Sequence, residues 1–316
     1  MKNVMKKDLV IIGGGPAGLT ASLYASRSLL DTITLEQEAV GGQVILTNEV
    51  DNYPAVPHVD GYTLAEAMRT QAEELGGSIV MESALSITTD PETGTFHVTS
   101  SDVEYVSRAV ILAGGATPRR AGFDGEERFA GHGVSYCATC DGMFYRGKRV
   151  YVVGGGNSAC EEALFLTRFA SEVILVVRKD HVRAQASVAR QLDENPKIKI
   201  EFETTLVAVG GGELLSSVSL RDERTGQVHT EKYDEGSFGV FVFVGRVPAT
   251  SLVAGMVDLD ETGHVVTDER MATRVPGLFA AGDVRSKALR QIVTAASDGA
   301  IAATSVAAYL GQPVEG

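Results

Sequence analysis

The chain has 316 residues, 44% hydrophobic and 22% charged, with no low-complexity tract, which is enough for two cored domains and argues against disorder. A formal net charge of −13 leaves no basic stripe to neutralise phosphates, so nucleic acid is excluded as a partner. Only three cysteines occur, which excludes a secreted disulfide scaffold and favours a reducing, cytoplasmic compartment.

The basic start, residues 1–7, precedes an apolar run at residues 9–12 that is too short for a secretory h-region. No uninterrupted apolar stretch approaches the roughly 18 residues of a membrane span, so no membrane partner is expected. Instead the run reads as a strand entering Gly13-Gly14-Gly15-Pro16-Ala17-Gly18, and an Ala-rich helical pattern follows through Ser28. Gly13 permits the tight turn, Gly15 lets the backbone approach a pyrophosphate, and Gly18 lets helix and strand pack closely. The helix start favours the phosphate charge, and Pro16 suits the first turn, where its missing donor has no partner to lose. A second strand over residues 32–35 ends at Glu36, the offset expected of an acid that holds a ribose hydroxyl. Turn signals at Asp90-Pro91-Glu92-Thr93-Gly94 predict a β-meander.

Next comes Cys137-Ala138-Thr139-Cys140-Asp141. Cysteines at this spacing can close a small reducible disulfide, and a neighbouring Asp can move the proton that thiol exchange requires. The competing reading is half of a zinc site, but no second Cys or His pair stands at ligand spacing. The pair lies between two dinucleotide fingerprints, since the pattern recurs: a strand at residues 150–153, Gly154-Gly155-Gly156-Asn157-Ser158-Ala159, a helical stretch at 160–169 and a strand at 173–177. This second strand ends in Arg178-Lys179, cations that suit a ribose 2′-phosphate, so the second ligand is read as NADP(H). Cys160, on the helix behind the turn, reads as a small buried thiol. A second meander is expected around Arg224-Thr225-Gly226.

A buried strand at residues 278–281 ends at Gly282-Asp283, and Arg290-Gln291-Ile292-Val293 opens an Ala-rich helix to about Leu310. An Asp after a strand's carboxyl end lies where open α/β sheets bind ligands, so this tail completes the first domain and makes the second an insertion. The expected fold is α/β: two Rossmann-like dinucleotide-binding domains with three-stranded β-meanders, the second inserted into the first. Expected boundaries are 1–117 with 248–316 for the first and 118–247 for the second. The six histidines show no clustered spacing and receive no role.

Together the motifs resemble those of the bacterial-type, low-molecular-weight thioredoxin reductases over essentially the whole chain. The resemblance rests on both fingerprints, Gly41-Gly42-Gln43, Asn52-Tyr53-Pro54, the run from Cys137 to Tyr145, Glu161-Glu162-Ala163, Gly282-Asp283 and Arg290-Gln291. It implies a homodimer whose first domain binds FAD, whose inserted domain binds NADPH, and whose cysteine pair passes electrons to thioredoxin. Gly13, Gly15, Gly18 and Glu36 would hold the FAD pyrophosphate and adenosine ribose. Gln43 and Asn52 would lie near the flavin, Asp283 against the ribityl or pyrophosphate, and Arg290, Gln291 and Ile292 against the isoalloxazine. Gly154, Gly156 and Ala159 would contact the NADPH pyrophosphate, and Arg178, Lys179 and Arg183 its 2′-phosphate. The resemblance makes Cys140 the sulfur nearer the flavin, Cys137 the one that exchanges with substrate, and Asp141 the proton donor and acceptor. Two positions depart from the pattern: Val177-Arg178-Lys179 replaces His-Arg-Arg, and Ala113-Gly114-Gly115 replaces Ala-Thr-Gly. The alternatives are a ferredoxin-dependent flavin thioredoxin reductase and a flavin redox sensor without turnover.

Overall fold

The computed structural model describes residues 3–47 and 49–312; residues 1–2, Asn48 and 313–316, which include both outer ends of the expected first domain, lie outside them. The chain separates into two compact units, one up to Thr117 and from Val247 onward, the other Pro118–Arg246. Val247 thus falls with the first unit.

In the first unit, β1 (Asn3–Ile12), α1 (Pro16–Arg27), β2 (Thr32–Glu36), α2 (Gly61–Glu74) and β3 (Ile79–Met81) are followed by β4 (Ser86–Thr89), β5 (Phe96–Thr99), β6 (Val103–Leu112) and β7 (Ala116–Pro118). The sheet order is β3-β2-β1-β6-β5-β4. Residues 9–12 of β1 pair in parallel with β2 and β6 and are buried, which is why they read as a continuous apolar run. Leu9 and Ile11 face a core shared with α1, whereas Val10 and Ile12 face one shared with Phe96 and Val98. β1 begins six residues before the apolar run because residues 3–7 continue the ladder to residues 103–107 of β6. The first meander is not a separate layer: β6 pairs antiparallel with β5 over residues 104–107, while over residues 103–107 and 109–112 it also runs parallel to β1.

The second unit contains β8 (Val134–Ser135), α3 (Ala138–Asp141), β9 (Arg149–Val153), α4 (Asn157–Leu166), β10 (Glu172–Val177), α5 (Ala186–Glu194) and β11 (Ile198–Phe202). After them come β12 (Thr204–Gly211), β13 (Leu215–Asp222), β14 (Val228–Lys232), β15 (Phe238–Val242) and the connecting strand β16 (Arg246–Pro248). The parallel order is β11-β10-β9-β15-β8, and here the meander β12-β13-β14 is a sheet of its own. α4 starts three residues before the expected stretch because Gly156 caps it directly.

Back in the first unit, β17 (Leu278–Ala280) pairs with β6 and leads to α6 (Ile292–Tyr309). α6 is apolar and long enough to cross a bilayer. Its Ala295, Ala302, Ala303, Val306 and Ala307 instead join the core with α1, and Asp298 makes buried ion pairs, as in the core helix of a globular domain.

Candidate active site

In the first unit the candidate residues gather at the carboxyl ends of the parallel strands. Gly13, at φ +110°, turns β1 toward α1, and a Cβ there would run into the Ala113 carbonyl. Gly15 caps α1 with no side-chain hydrogen bond, and the nearest atom to a Cβ there would be the Gly41 carbonyl oxygen at 3.9 Å. The helix's first N–H groups therefore have no side-chain cap, and there is room at Gly15 for a phosphate. Glu36 is buried; its carboxylate accepts from the Gly14 N–H at 2.6 Å and the Glu38 N–H at 2.9 Å, which fixes it beside the turn. The Gly41 N–H donates to the Gly14 carbonyl at 2.8 Å, so the short 3₁₀ turn carrying Gln43 is tied to the fingerprint.

Asp283 sits in a 3₁₀ turn directly after β17. Gln291 caps α6 through a capping box with Thr294 and accepts from the Asn52 side-chain amide at 3.1 Å, which joins two segments 239 residues apart. Arg290 precedes this cap, and its Nε is buried with no hydrogen-bond partner among the described residues. Such a donor is costly unless a ligand acceptor meets it. Sequence reasoning missed His264, which is buried, accepts from or donates to Thr262 Oγ1 at 2.7 Å, and has a pKa lowered by burial and by the Arg290 charge.

In the second unit Gly154, at φ +145°, plays the part of Gly13, and Gly156 caps α4 with open space beside it. Ala159 is fully buried on α4, against the turn. Beyond β10 the exposed Arg178, Lys179 and Arg183 follow, and the Arg183 N–H donates to the Gly155 carbonyl at 2.6 Å. Asn157 adds a second stitch, its side-chain oxygen accepting from the Gln185 N–H at 3.2 Å. The second glycine turn and the basic loop are thereby held side by side.

Cys137 and Cys140 form a disulfide, with Cα atoms 5.3 Å apart. Cys137 lies at the start of α3, where its sulfur accepts from the Cys140 N–H at 3.2 Å. Ser135, another residue that sequence reasoning passed over, joins the parts: its hydroxyl donates to Asp141 Oδ2 at 2.5 Å and accepts from the Cys137 N–H at 3.1 Å. Burial raises the Asp141 pKa above the ordinary carboxyl range, against the opposing pull of the Ser135 hydrogen bond. Behind the turn, Tyr145 packs edge-on to Phe241 at 5.2 Å, and burial, then the Asp141 charge, pushes its pKa up to about 12. The arrangement is a cysteine pair able to cycle between dithiol and disulfide, with a buried carboxyl of raised pKa one residue away.

Residues 7–299 match the family model for pyridine nucleotide-disulphide oxidoreductases. A thioredoxin reductase from Treponema pallidum is 45% identical over 305 residues, covering 96% of this chain and 97% of that protein. One from Peptoclostridium acidaminophilum is 44% identical over 315 residues, 98% of each. The crystal structure of thioredoxin reductase from Streptococcus pyogenes matches with a TM-score of 0.89 at 40% identity, covering 97% of this chain and 98% of that one. The chain belongs to the thioredoxin reductases of this family. It is an oxidoreductase, and the family's use of flavin and a pyridine nucleotide matches its two fingerprint turns.

Both departures from the family pattern have a local reason. Val177 is buried beneath the second turn, its Cγ1 2.8 Å from where a Gly155 Cβ would stand, so it packs the strand end. At Gly114 a Cβ would stand 3.0 Å from the Ala249 Cβ, and threonine there would require Ala249 to move.

Asp141 also yields a paired expectation. Its folded-state pKa lies above that of the unfolded chain, so ionisation favours unfolding; the cost is absent below the unfolded value and complete above the folded one. Asp141→Asn is expected to melt higher than the wild type near about pH 8 and to show no advantage near about pH 3. The same change should slow disulfide exchange by roughly 10²-fold, the lower range for loss of a general acid. Unchanged melting curves and rates across this range would remove Asp141 from the proton path.

Proposed function

We propose that the protein passes two electrons from NADPH, through bound FAD and the Cys137–Cys140 disulfide, to thioredoxin. The observation that carries this reading is the disulfide itself, with Ser135 and the pKa-raised Asp141 built around its turn. The first-unit residues fit FAD: the uncapped start of α1 and the space at Gly15 suit a pyrophosphate, and the buried Arg290 Nε offers a donor with no acceptor among the described residues. Gly18, Glu36, Gln43, Asn52, Asp283, Gln291 and Ile292 would complete the holding set. When bound, FAD supplies the step between two-electron hydride chemistry and thiol chemistry.

The balance is NADPH, one proton and substrate disulfide going to NADP⁺ and substrate dithiol. Opening the Cys137–Cys140 bond takes up two electrons and leaves two sulfurs to be protonated, and Asp141 delivers a proton at this turn. The Cys137 thiolate, which the Cys140 N–H faces, attacks one substrate sulfur and expels the other. Cys140 then attacks the Cys137 sulfur of the mixed disulfide, expels the remaining substrate thiolate, which takes up a proton, and closes the ring again. Gly154, Gly156 and Ala159 would seat the NADPH pyrophosphate, with Arg178, Lys179 and Arg183 at its 2′-phosphate.

Anaerobic titration of the purified protein tests this reading: NADPH should bleach an FAD spectrum, and added thioredoxin disulfide should restore it. A colourless protein that FAD cannot reconstitute overturns it, bleaching by reduced ferredoxin alone favours the ferredoxin-dependent alternative, and bleaching without transfer to thioredoxin favours a sensor. The three cations are exposed, so the preference for NADPH over NADH is expected to be roughly 10- to 100-fold in kcat/KM. Equal values for the two nucleotides would remove the basic loop from recognition. A cytoplasmic homodimer completes the proposal, with a dimeric mass by light scattering as its check.

A further inference from the structure

A buried charge cluster lies in the first unit, apart from every residue so far placed in the site. Asp298, on the buried face of α6, uses both carboxylate oxygens. Oδ2 accepts from the Gly282 N–H at 3.1 Å and from Lys287 Nζ at 2.7 Å, and Oδ1 accepts from Arg285 at 3.2 Å. The side chains of Asp298 and Lys287 are each 8% exposed and that of Arg285 is 14% exposed, so this is an interior network of two cations and one anion. Arg285 is further fixed by a bond to Thr267 Oγ1 at 2.9 Å.

The three partners of Asp298 all belong to one arm, residues 282–287, which leaves β17 and carries Asp283. Packing shows what the arm is held against. A Cβ on Gly299, next to Asp298, would strike the carbonyl of Ala17, and a Cβ on Gly282 would lie 2.8 Å from the Ala17 Cβ. Ala17 is in the first turn of α1. One helix position therefore brings α6 onto the phosphate-facing end of α1, and the adjacent carboxylate fastens the arm to the same place.

We propose that Asp298 is a positioning residue of the flavin site: it clamps the Gly282–Lys287 arm, and with it Asp283, to the first turn of α1. The proposal rests on the reading of the first unit as the FAD site. Asp298 touches no cofactor atom in this scheme and acts through the arm.

The test is FAD binding by deflavinated protein, followed by flavin fluorescence, in the wild type, Asp298→Asn and Lys287→Met. Binding of 2′,5′-ADP to the second unit reports whether each variant is folded. Asp298→Asn has nearly the same volume but can no longer serve three donors with two acceptor oxygens, and it should raise the FAD dissociation constant by about tenfold or more with 2′,5′-ADP binding unchanged. A wild-type FAD constant in Asp298→Asn overturns the proposal. Should Asp298→Asn lose both ligands, Lys287→Met decides, because it leaves the Gly282 and Arg285 bonds in place and frees only the far end of the arm. A several-fold weaker FAD constant there supports the clamp, and a wild-type constant overturns it. Failure of the wild type to bind FAD would instead refute the flavin reading, and no variant would be needed to see it.

Discussion

Cys137→Ser and Cys140→Ser are each expected to reduce NADPH-driven turnover of thioredoxin to background, while only Cys140→Ser captures the substrate covalently. Turnover needs both sulfurs because one must attack the substrate and the other must release it; a single thiol leaves the mixed disulfide with no internal nucleophile. The two positions are not equivalent. The sulfur of Cys137 faces the Cys140 N–H at 3.2 Å and the Thr139 hydroxyl at 3.4 Å, donors that favour a thiolate at this position. The Cys140→Ser variant retains the attacking sulfur and that backbone donor. Given thioredoxin whose active-site thiol is activated as a mixed disulfide with thionitrobenzoate, Cys137 should displace the coloured leaving group and remain joined to thioredoxin. Non-reducing electrophoresis and mass measurement check this. Capture by Cys137→Ser in place of Cys140→Ser would exchange the roles of the two sulfurs, and residual turnover in either variant would mean that the disulfide is not the exit for electrons.

The cysteine pair, both glycine turns and the tail's return to the first unit were legible in the sequence because each is written within a few consecutive residues. A strand ending in Gly-x-Gly-x-x-Gly and followed by a helix carries its own geometry, and Gly13 and Gly154 adopt the positive φ values that the pattern requires. What escaped depends on polar residues that meet across the fold. The outer half of β1 is exposed and held by ladder bonds to β6, so hydrophobic patterning had no signal for it. Ser135 sits six residues before Asp141 on a two-residue strand, and nothing in its neighbours marks it as the hydroxyl that bridges Asp141 to the Cys137 amide. The clamp at Asp298 is similar: one acid in an Ala-rich helix reads as a solvated break in an apolar face until Arg285 and Lys287 are brought to it. Basic residues after β10 were found, but the stitches that fix their loop to the second turn, at Gly155 and Asn157, were not.

Those stitches make the second turn the place where one methyl group should cause the largest specific loss. Gly154→Ala is expected to weaken NADPH binding by roughly 10- to 100-fold, corresponding to about 1–3 kcal/mol of backbone strain at a conformation L-residues avoid. At φ +145° the added Cβ would collide with the Phe243 carbonyl and stand 2.8 Å from the Ala159 Cβ, and neither neighbour is the free end of a flexible chain. Relief requires the turn to lift from β9, and the Arg183 and Gln185 segment bonded to it must follow. Pyrophosphate seat and 2′-phosphate loop would thus be lost together, which predicts that NADPH and 2′,5′-ADP weaken in parallel. The first unit has its own core and its own turn, so FAD content should stay at the wild-type level. The Cys137–Cys140 couple is unaltered as well, and enzyme reduced photochemically should still pass its electrons to thioredoxin in a single turnover. Loss of FAD together with NADPH would show that the second turn supports the whole chain, and unchanged NADPH affinity would show that the nucleotide does not use this turn.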